Sequence, residues 1–190
     1  MRVSIAPLGD YTIRLSTRLH VGAVARVEGP FGHFCKVRGQ QTWIAAGIGI
    51  TPFAAMAGTL DPRDGPVTLI YSVRSRAKAA HLDELQQIAS ANPNFTLILR
   101  ETAMEGRLDA DIVAAMIGDA MTQTVLFCGP AGLRDSLRQG LGRHGFSARR
   151  FRYEMFELRT GVGLKALSLF LAERAVPAVQ AARARRSASR

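Results

Sequence analysis

The chain has 190 residues, 47% of them hydrophobic and 21% charged, an ordinary globular composition that excludes long disorder, collagen and coiled coil. Its net charge is +10, and half of that excess lies in residues 161–190, where six Lys and Arg face Glu173 alone. A solvated basic end is the plain reading of such a tail, and a nucleic-acid partner is not expected.

Residues 1–40 form a first unit. Val3-Ser4-Ile5 and Ala23 to Glu28 read as strands around a short polar helix, Asp10 to Leu19, and the stretch closes on Gly29-Pro30-Phe31-Gly32. A piece this small cannot bury its own core. It must pack on the domain after it or belong to a larger β unit.

From residue 41 to about 160, short apolar runs bounded by turn residues alternate with helix-like segments, the pattern of parallel strands joined by helical crossovers. The runs are Thr42 to Ala46, Val67 to Val73, Phe95 to Leu99 and Thr124 to Cys128. A last strand, Phe151 to Leu158, alternates less cleanly. Pro52 is expected to open the first helix, because its missing N–H is no loss in a first turn. A second helix is predicted over Ala79 to Ala91, with His81, Leu82, Leu85 and Ile88 at roughly helical spacing, and Asp83 and Glu84 are expected to face solvent. Asp109 should cap a third helix that ends at Gly118. A fourth spans Ala131 to His144. In the extension after 160, Leu164 to Val176 reads as a helix that Pro177 stops.

Three strand ends carry the chemistry. After the first run comes Gly47-Ile48-Gly49-Ile50-Thr51-Pro52, in which glycines allow a bulky anion to approach and Thr51 adds a hydroxyl beside a helix start. After the second come Ser72, Arg74 and Arg76, hydroxyl and guanidinium groups suited to phosphate. The fourth ends on Cys128-Gly129-Pro130, for which a small buried cysteine is the ordinary explanation. Ligands of parallel sheets lie at this carboxyl edge. The four histidines, His20, His33, His81 and His144, have no ligand spacing, so no metal site is expected.

Cys35 and Cys128 offer neither a C-x-x-C pair nor a disulfide framework, which favours a reducing, cytoplasmic compartment. No signal peptide is apparent, and the apolar run Ala166 to Ala172 is far shorter than the ~20 residues of a membrane span.

Together these blocks resemble the ferredoxin-reductase-type superfamily of flavin and NAD(P)H oxidoreductases, over about residues 3 to 159. Gly47 to Pro52 is similar to its pyridine-nucleotide diphosphate loop, Tyr71 to Arg76 to its adenosine-ribose segment, and Cys128-Gly129-Pro130 to the turn beside the nicotinamide. Gly9-Asp10-Tyr11-Thr12 resembles the Gly-x-x-Ser/Thr turn that holds the FAD diphosphate, and Gly29-Pro30-Phe31-Gly32 the end of the flavin barrel. The nearest branch is that of the ferric reductases and NADPH-oxidase-like proteins. The family's Arg-x-Tyr/Phe-Ser/Thr flavin segment has no counterpart here, so the first forty residues are expected to be part of an antiparallel barrel.

The resemblance implies an α/β nucleotide domain at 41–160 behind that barrel segment, with 161–190 as a basic extension. It implies hydride transfer from NAD(P)H to FAD, with electrons passed on to an acceptor protein or a membrane haem domain; any membrane association would come through that partner. The implied roles are Gly9 and Thr12 at FAD, Gly47, Gly49, Thr51 and Pro52 at the diphosphate, and Ser72, Arg74 and Arg76 at the ribose. Gly129, Pro130 and Cys128 would flank the nicotinamide, and Phe156 would cover the flavin ring, with Tyr11 and Phe31 at its edge or sealing the segment's apolar face. Absence of Asp or Glu between Ser72 and Lys78 favours NADP over NAD. The other reading is a module that binds NADP(H) without turnover.

Overall fold

The four apolar runs and the less regular last stretch become five strands, the central three buried on both faces as the interior of a parallel sheet requires. The computed structural model describes residues 3–7, 9–27, 32–118 and 122–155. Strands β1 (Gln41–Ala46), β2 (Val67–Val73), β3 (Phe95–Glu101), β4 (Thr124–Cys128) and β5 (Phe151–Glu154) form one sheet in the order β3-β2-β1-β4-β5. Every neighbouring pair is parallel. The order reverses direction at β1 and β4, which leaves a crevice beyond their carboxyl ends.

Helices cover both faces. In chain order they are α1 (Gly9–Ile13), α2 (Leu15–Arg18), α3 (Ile50–Ala57), α4 (Leu82–Ala91), α5 (Thr102–Glu105), α6 (Ala110–Ile117) and α7 (Ala131–Arg143). Alternate residues of each strand point to opposite sides. Trp43, Ala45, Leu69, Tyr71 and Leu126 meet Phe53 and Ala57 of α3 and Leu85 of α4. On the other side Ile44, Ile70, Val125 and Phe127 meet Val113 and Ile117 of α6 and Leu137 and Leu141 of α7. Trp43, Tyr71, Phe53 and Phe127 are fully buried, each worth about 1.5–3 kcal/mol of transfer free energy.

Several polar groups inside this core are paired, whereas the buried Tyr71 hydroxyl has no hydrogen-bond partner among the described residues. Thr42 Oγ1 donates to Gln123 Oε1 at 2.6 Å, and Gln123 Nε2 donates to the Ile117 carbonyl at 2.7 Å. Trp43 Nε1 donates to Gln41 Oε1 at 3.1 Å.

Several boundaries depart from expectation, each for a local reason. α3 opens at Ile50, not at Pro52, because a 3-10 turn over Gly47–Gly49 already sets the helical course. Pro52 still lies in the first turn, where no intrahelical donor is needed. α4 begins at Leu82, three residues late, behind a 3-10 turn at Arg76–Lys78 and a left-handed His81 with φ +61°. Asp109 caps α6 as predicted, its carboxylate accepting from Ile112 N–H at 2.8 Å. Asp83 is exposed, but Glu84 is half-buried and lies 3.5 Å from His81 Nδ1.

The first forty residues differ most. Residues 3–7 and 23–27 have no regular secondary structure, and the predicted polar helix breaks at Arg14 into α1 and α2. A strand requires a partner for its backbone groups, and none is provided to these stretches among the described residues. Val3, Tyr11, Ile13, Val21 and Val24 are exposed. Residues 28–31, Phe156 and the predicted helix from Leu164 to Val176 lie outside the described residues, as does the end of the predicted last strand.

Candidate functional site at the carboxyl edge

At the end of β1 the chain turns through Gly47, whose φ of +55° suits glycine, into Gly49. A Cβ on Gly49 would stand 2.1 Å from the carbonyl oxygen of Cys128 and 3.0 Å from Gly129 N. A Cβ on Gly129 would in turn stand 2.8 Å from that of Ala46. The β1 and β4 turns are therefore in backbone contact across the switch point, a fit that only glycine permits at Gly49.

Two helices start beside this contact. Neither α3 nor α7 has a side-chain cap at its amino end, so their positive ends are left for an anion. Thr51 and Pro52 occupy the first turn of α3 and are half-buried; Pro130 is the residue before α7. This matches the chemistry of a diphosphate, two negative groups side by side over glycines and helix starts.

The end of β2 lies next to β1, Ala46 pairing in register with Ser72. Ser72 is 6% exposed, facing the sheet more than a ligand, while Arg74 and Arg76 are exposed and make no ion pair among the described residues. Arg76 lines a groove with Ala79, His81 and Leu82 at the start of α4. Tyr71 is fully buried in the core, and burial pushes its phenol up to about 12. Tyr71 thus holds the strand rather than the ribose.

Cys128 is buried, and burial, with the Glu154 carboxylate second, pushes its thiol up to about 12. It remains a neutral thiol near pH 7, suited to packing rather than to thiolate chemistry. Glu154 pairs in register with Cys128 at the end of β5, and burial raises its own carboxyl above the usual range. Sequence reading assigned no role to Glu154. Arg134 of α7 sits 4.8 Å from the Tyr153 ring centroid, contacts Met155 Sδ and pairs with Asp135 at 2.8 Å.

The edge therefore gathers Gly47, Gly49, Thr51, Pro52, Ser72, Arg74, Arg76, Cys128, Gly129 and Pro130 on three neighbouring strand ends. Gly9 and Thr12 occupy positions one and four of α1. The segment that carries them meets the α/β part through Ser4 Oγ and His81 Nε2, 2.8 Å apart.

A separate cleft lies by Lys36, Arg38, Asp61, Arg63 and Asp64, near the amino ends of β1 and β2. Four of its five charges are already paired, Lys36 with Asp64 at 2.5 Å and Arg63 with Asp61 at 2.8 Å, and Arg38 makes no ion pair among the described residues. It offers less to a ligand than the carboxyl edge.

The chain is similar to known proteins over these strands. The model of the oxidoreductase NAD-binding domain matches residues 43–139, just over half of the chain. An NADPH oxidoreductase of Mycobacterium tuberculosis is 29% identical over 137 residues, covering 69% of this chain and 36% of that protein. A flavohemoprotein of Chromobacterium violaceum is 30% identical over 173 residues, 82% of this chain and 42% of the relative. The solved structure of an intact type IV self-sufficient cytochrome P450 monooxygenase overlays with a TM-score of 0.61 at 28% identity, covering 77% of this chain and 18% of its own. The chain spans less than half the length of either curated relative.

Proposed function

Since the chain belongs to the oxidoreductase NAD-binding domain family, in the ferredoxin-reductase-like superfamily, we propose that it is the NAD(P)H-docking part of a flavin-dependent reductase. The observation that carries this reading is the backbone contact of Gly49 with Cys128 at the switch point, beside two uncapped helix starts. Gly47, Gly49, Thr51 and Pro52 hold the diphosphate there, and Gly129 and Pro130 bound its other side. Ser72 closes the floor of the ribose site while Arg74 and Arg76 take up the 2′-phosphate, which favours NADPH over NADH.

Cys128 backs the nicotinamide site from within the core, beside Glu154 at the end of β5. The bound dinucleotide supplies a hydride; the protein's residues position it and keep water from the reacting face. A neutral Cys128 presents no charge that would disturb that transfer.

FAD is the second cofactor of this reading. Gly9 and Thr12, three apart on α1, fall on one side of that turn, so a bare backbone and a hydroxyl address the same anion. The exposed apolar side chains of residues 3–27 fit coverage by the rest of a flavin barrel, and Phe156 is assigned to the flavin ring. The acceptor is a haem domain or ferric species, and the compartment is cytoplasmic, with the acceptor at a membrane where it is a haem protein of one. Among the described residues no helix is long and apolar enough to cross a membrane.

Titration of the chain with NADPH and NADH tests the docking. Saturable binding with a preference for NADPH is expected, and addition of FAD should give NADPH-dependent dye reduction. Absence of binding by both coenzymes would overturn the reading.

A further inference from the structure

Resting on the docking reading above, we propose that Glu101, at the carboxyl end of β3, is a positioning residue that fixes the Arg74–Arg76 segment for recognition of the adenosine 2′-phosphate. The stretch from Ser72 to Lys78 contains no carboxylate. The sheet brings one in from the neighbouring strand, because Val73 and Glu101 are paired in register.

Glu101 Oε2 accepts a hydrogen bond from the backbone N–H of Arg76 at 2.6 Å. That N–H opens the 3-10 turn Arg76–Lys78, which has no side-chain cap of its own. An opening N–H needs an acceptor, and a carboxylate is the strongest one available to it. The strap formed by Glu101 and α5 touches the segment a second time, Ala103 N–H donating to the Arg74 carbonyl at 3.1 Å. Both contacts are with backbone, so the two guanidinium groups stay directed to solvent and to a ligand.

The strap is itself held in place. Glu101 N–H donates to Glu105 Oε1 at 2.8 Å. Arg100, only 8% exposed, donates through Nε to the Gly106 carbonyl at 3.1 Å and also reaches the Glu105 carbonyl. A buried guanidinium therefore anchors α5, α5 anchors Glu101, and Glu101 anchors Arg76. The single negative charge of Glu101 stands against two positive ones within three residues, which leaves the segment attractive to phosphate.

Positioning and repulsion predict opposite signs, which makes the assignment testable without flavin or turnover. The full chain is titrated calorimetrically with adenosine 2′,5′-bisphosphate and with 5′-AMP. In E101A the affinity for the bisphosphate should fall about tenfold and that for 5′-AMP less than about twofold, the loss of one charge-assisted hydrogen bond. E101Q retains an oxygen for Arg76 N–H and should stay within about threefold of the parent. E101D, too short to reach that N–H, should reproduce the loss and serves where E101A does not fold. Equal losses for both nucleotides, no loss, or a gain for the bisphosphate overturns the assignment. A parent chain that binds neither nucleotide overturns the docking reading itself, and is distinct from a parent that binds both while the variants match it.

Discussion

The two halves of the carboxyl edge are built by different means. Between β1 and β4 the backbone forms the proposed site: Gly49 lies so close to Cys128 that a single added carbon would stand 2.1 Å from its carbonyl oxygen. Between β2 and β3 side chains form it, with exposed Arg74 and Arg76 held through their backbone by Glu101 and Ala103. In the first half folding and the proposed binding depend on the same atoms. In the second they are separable, since the guanidinium groups contribute nothing to the core.

The largest expected effect is therefore G49A. A contact of that kind cannot be relieved by a side-chain rotation, because both partners are backbone, and overpacking with backbone displacement should cost about 3–5 kcal/mol. Thermal unfolding measures it, and an unchanged melting temperature would mean that the β1 and β4 turns are not in contact. G129A, with 2.8 Å to the Ala46 Cβ, should cost less, about 1–3 kcal/mol. The double variant R74A/R76A sharpens the contrast from the other side. Its stability should lie within about 0.5 kcal/mol of the parent, while affinity for NADPH drops about a hundredfold and affinity for NADH about threefold or less. An equal loss for the two coenzymes would place the arginines away from the 2′-phosphate.

The same contrast decides what was legible in the sequence. The central strands β2, β1 and β4 show themselves as short apolar runs between turn residues because strands buried on both faces have few polar positions. The Gly47 to Pro52 turn and the Asp109 cap are local devices, so local pattern finds them. Tyr71 was readable too: period-two alternation aligns it with Val67 and Leu69, which are core residues, and its place in a ligand-like segment obscured this. Glu101 was not readable, because it stands 25 positions beyond Arg76 and only strand register joins them. The first forty residues show the opposite failure. Val3, Ile5 and Val24 have strand-like composition, yet strands are defined by their partners, and composition does not supply a partner.

A smaller effect comes from Glu154. Burial raises its carboxyl in the fold, so the folded state favours the protonated form more than the unfolded chain does. Its stabilising contribution is complete below the ordinary glutamate range, near pH 4.3, and is lost as pH rises through the raised folded value. E154Q should accordingly be more stable than the parent at pH 7, with the difference shrinking as pH is lowered to about 4. Thermal melts at both pH values check this. A difference that does not depend on pH would show that the carboxyl titrates as if in water.

The smallest effect belongs to the link between the amino-terminal segment and α4. His81 keeps a left-handed backbone, lies 3.5 Å from Glu84 through Nδ1 and hydrogen-bonds with the Ser4 hydroxyl through Nε2 at 2.8 Å. S4A removes this one part-buried bond, worth about 0.5–1 kcal/mol, and should lower the melting temperature by only a few degrees with no change in nucleotide affinity. H81N tolerates the same backbone angle and should behave alike. If either substitution instead approached G129A in cost, residues 3–7 would count as part of the domain's structural core, and their exposed apolar side chains would need another explanation than coverage by a flavin barrel.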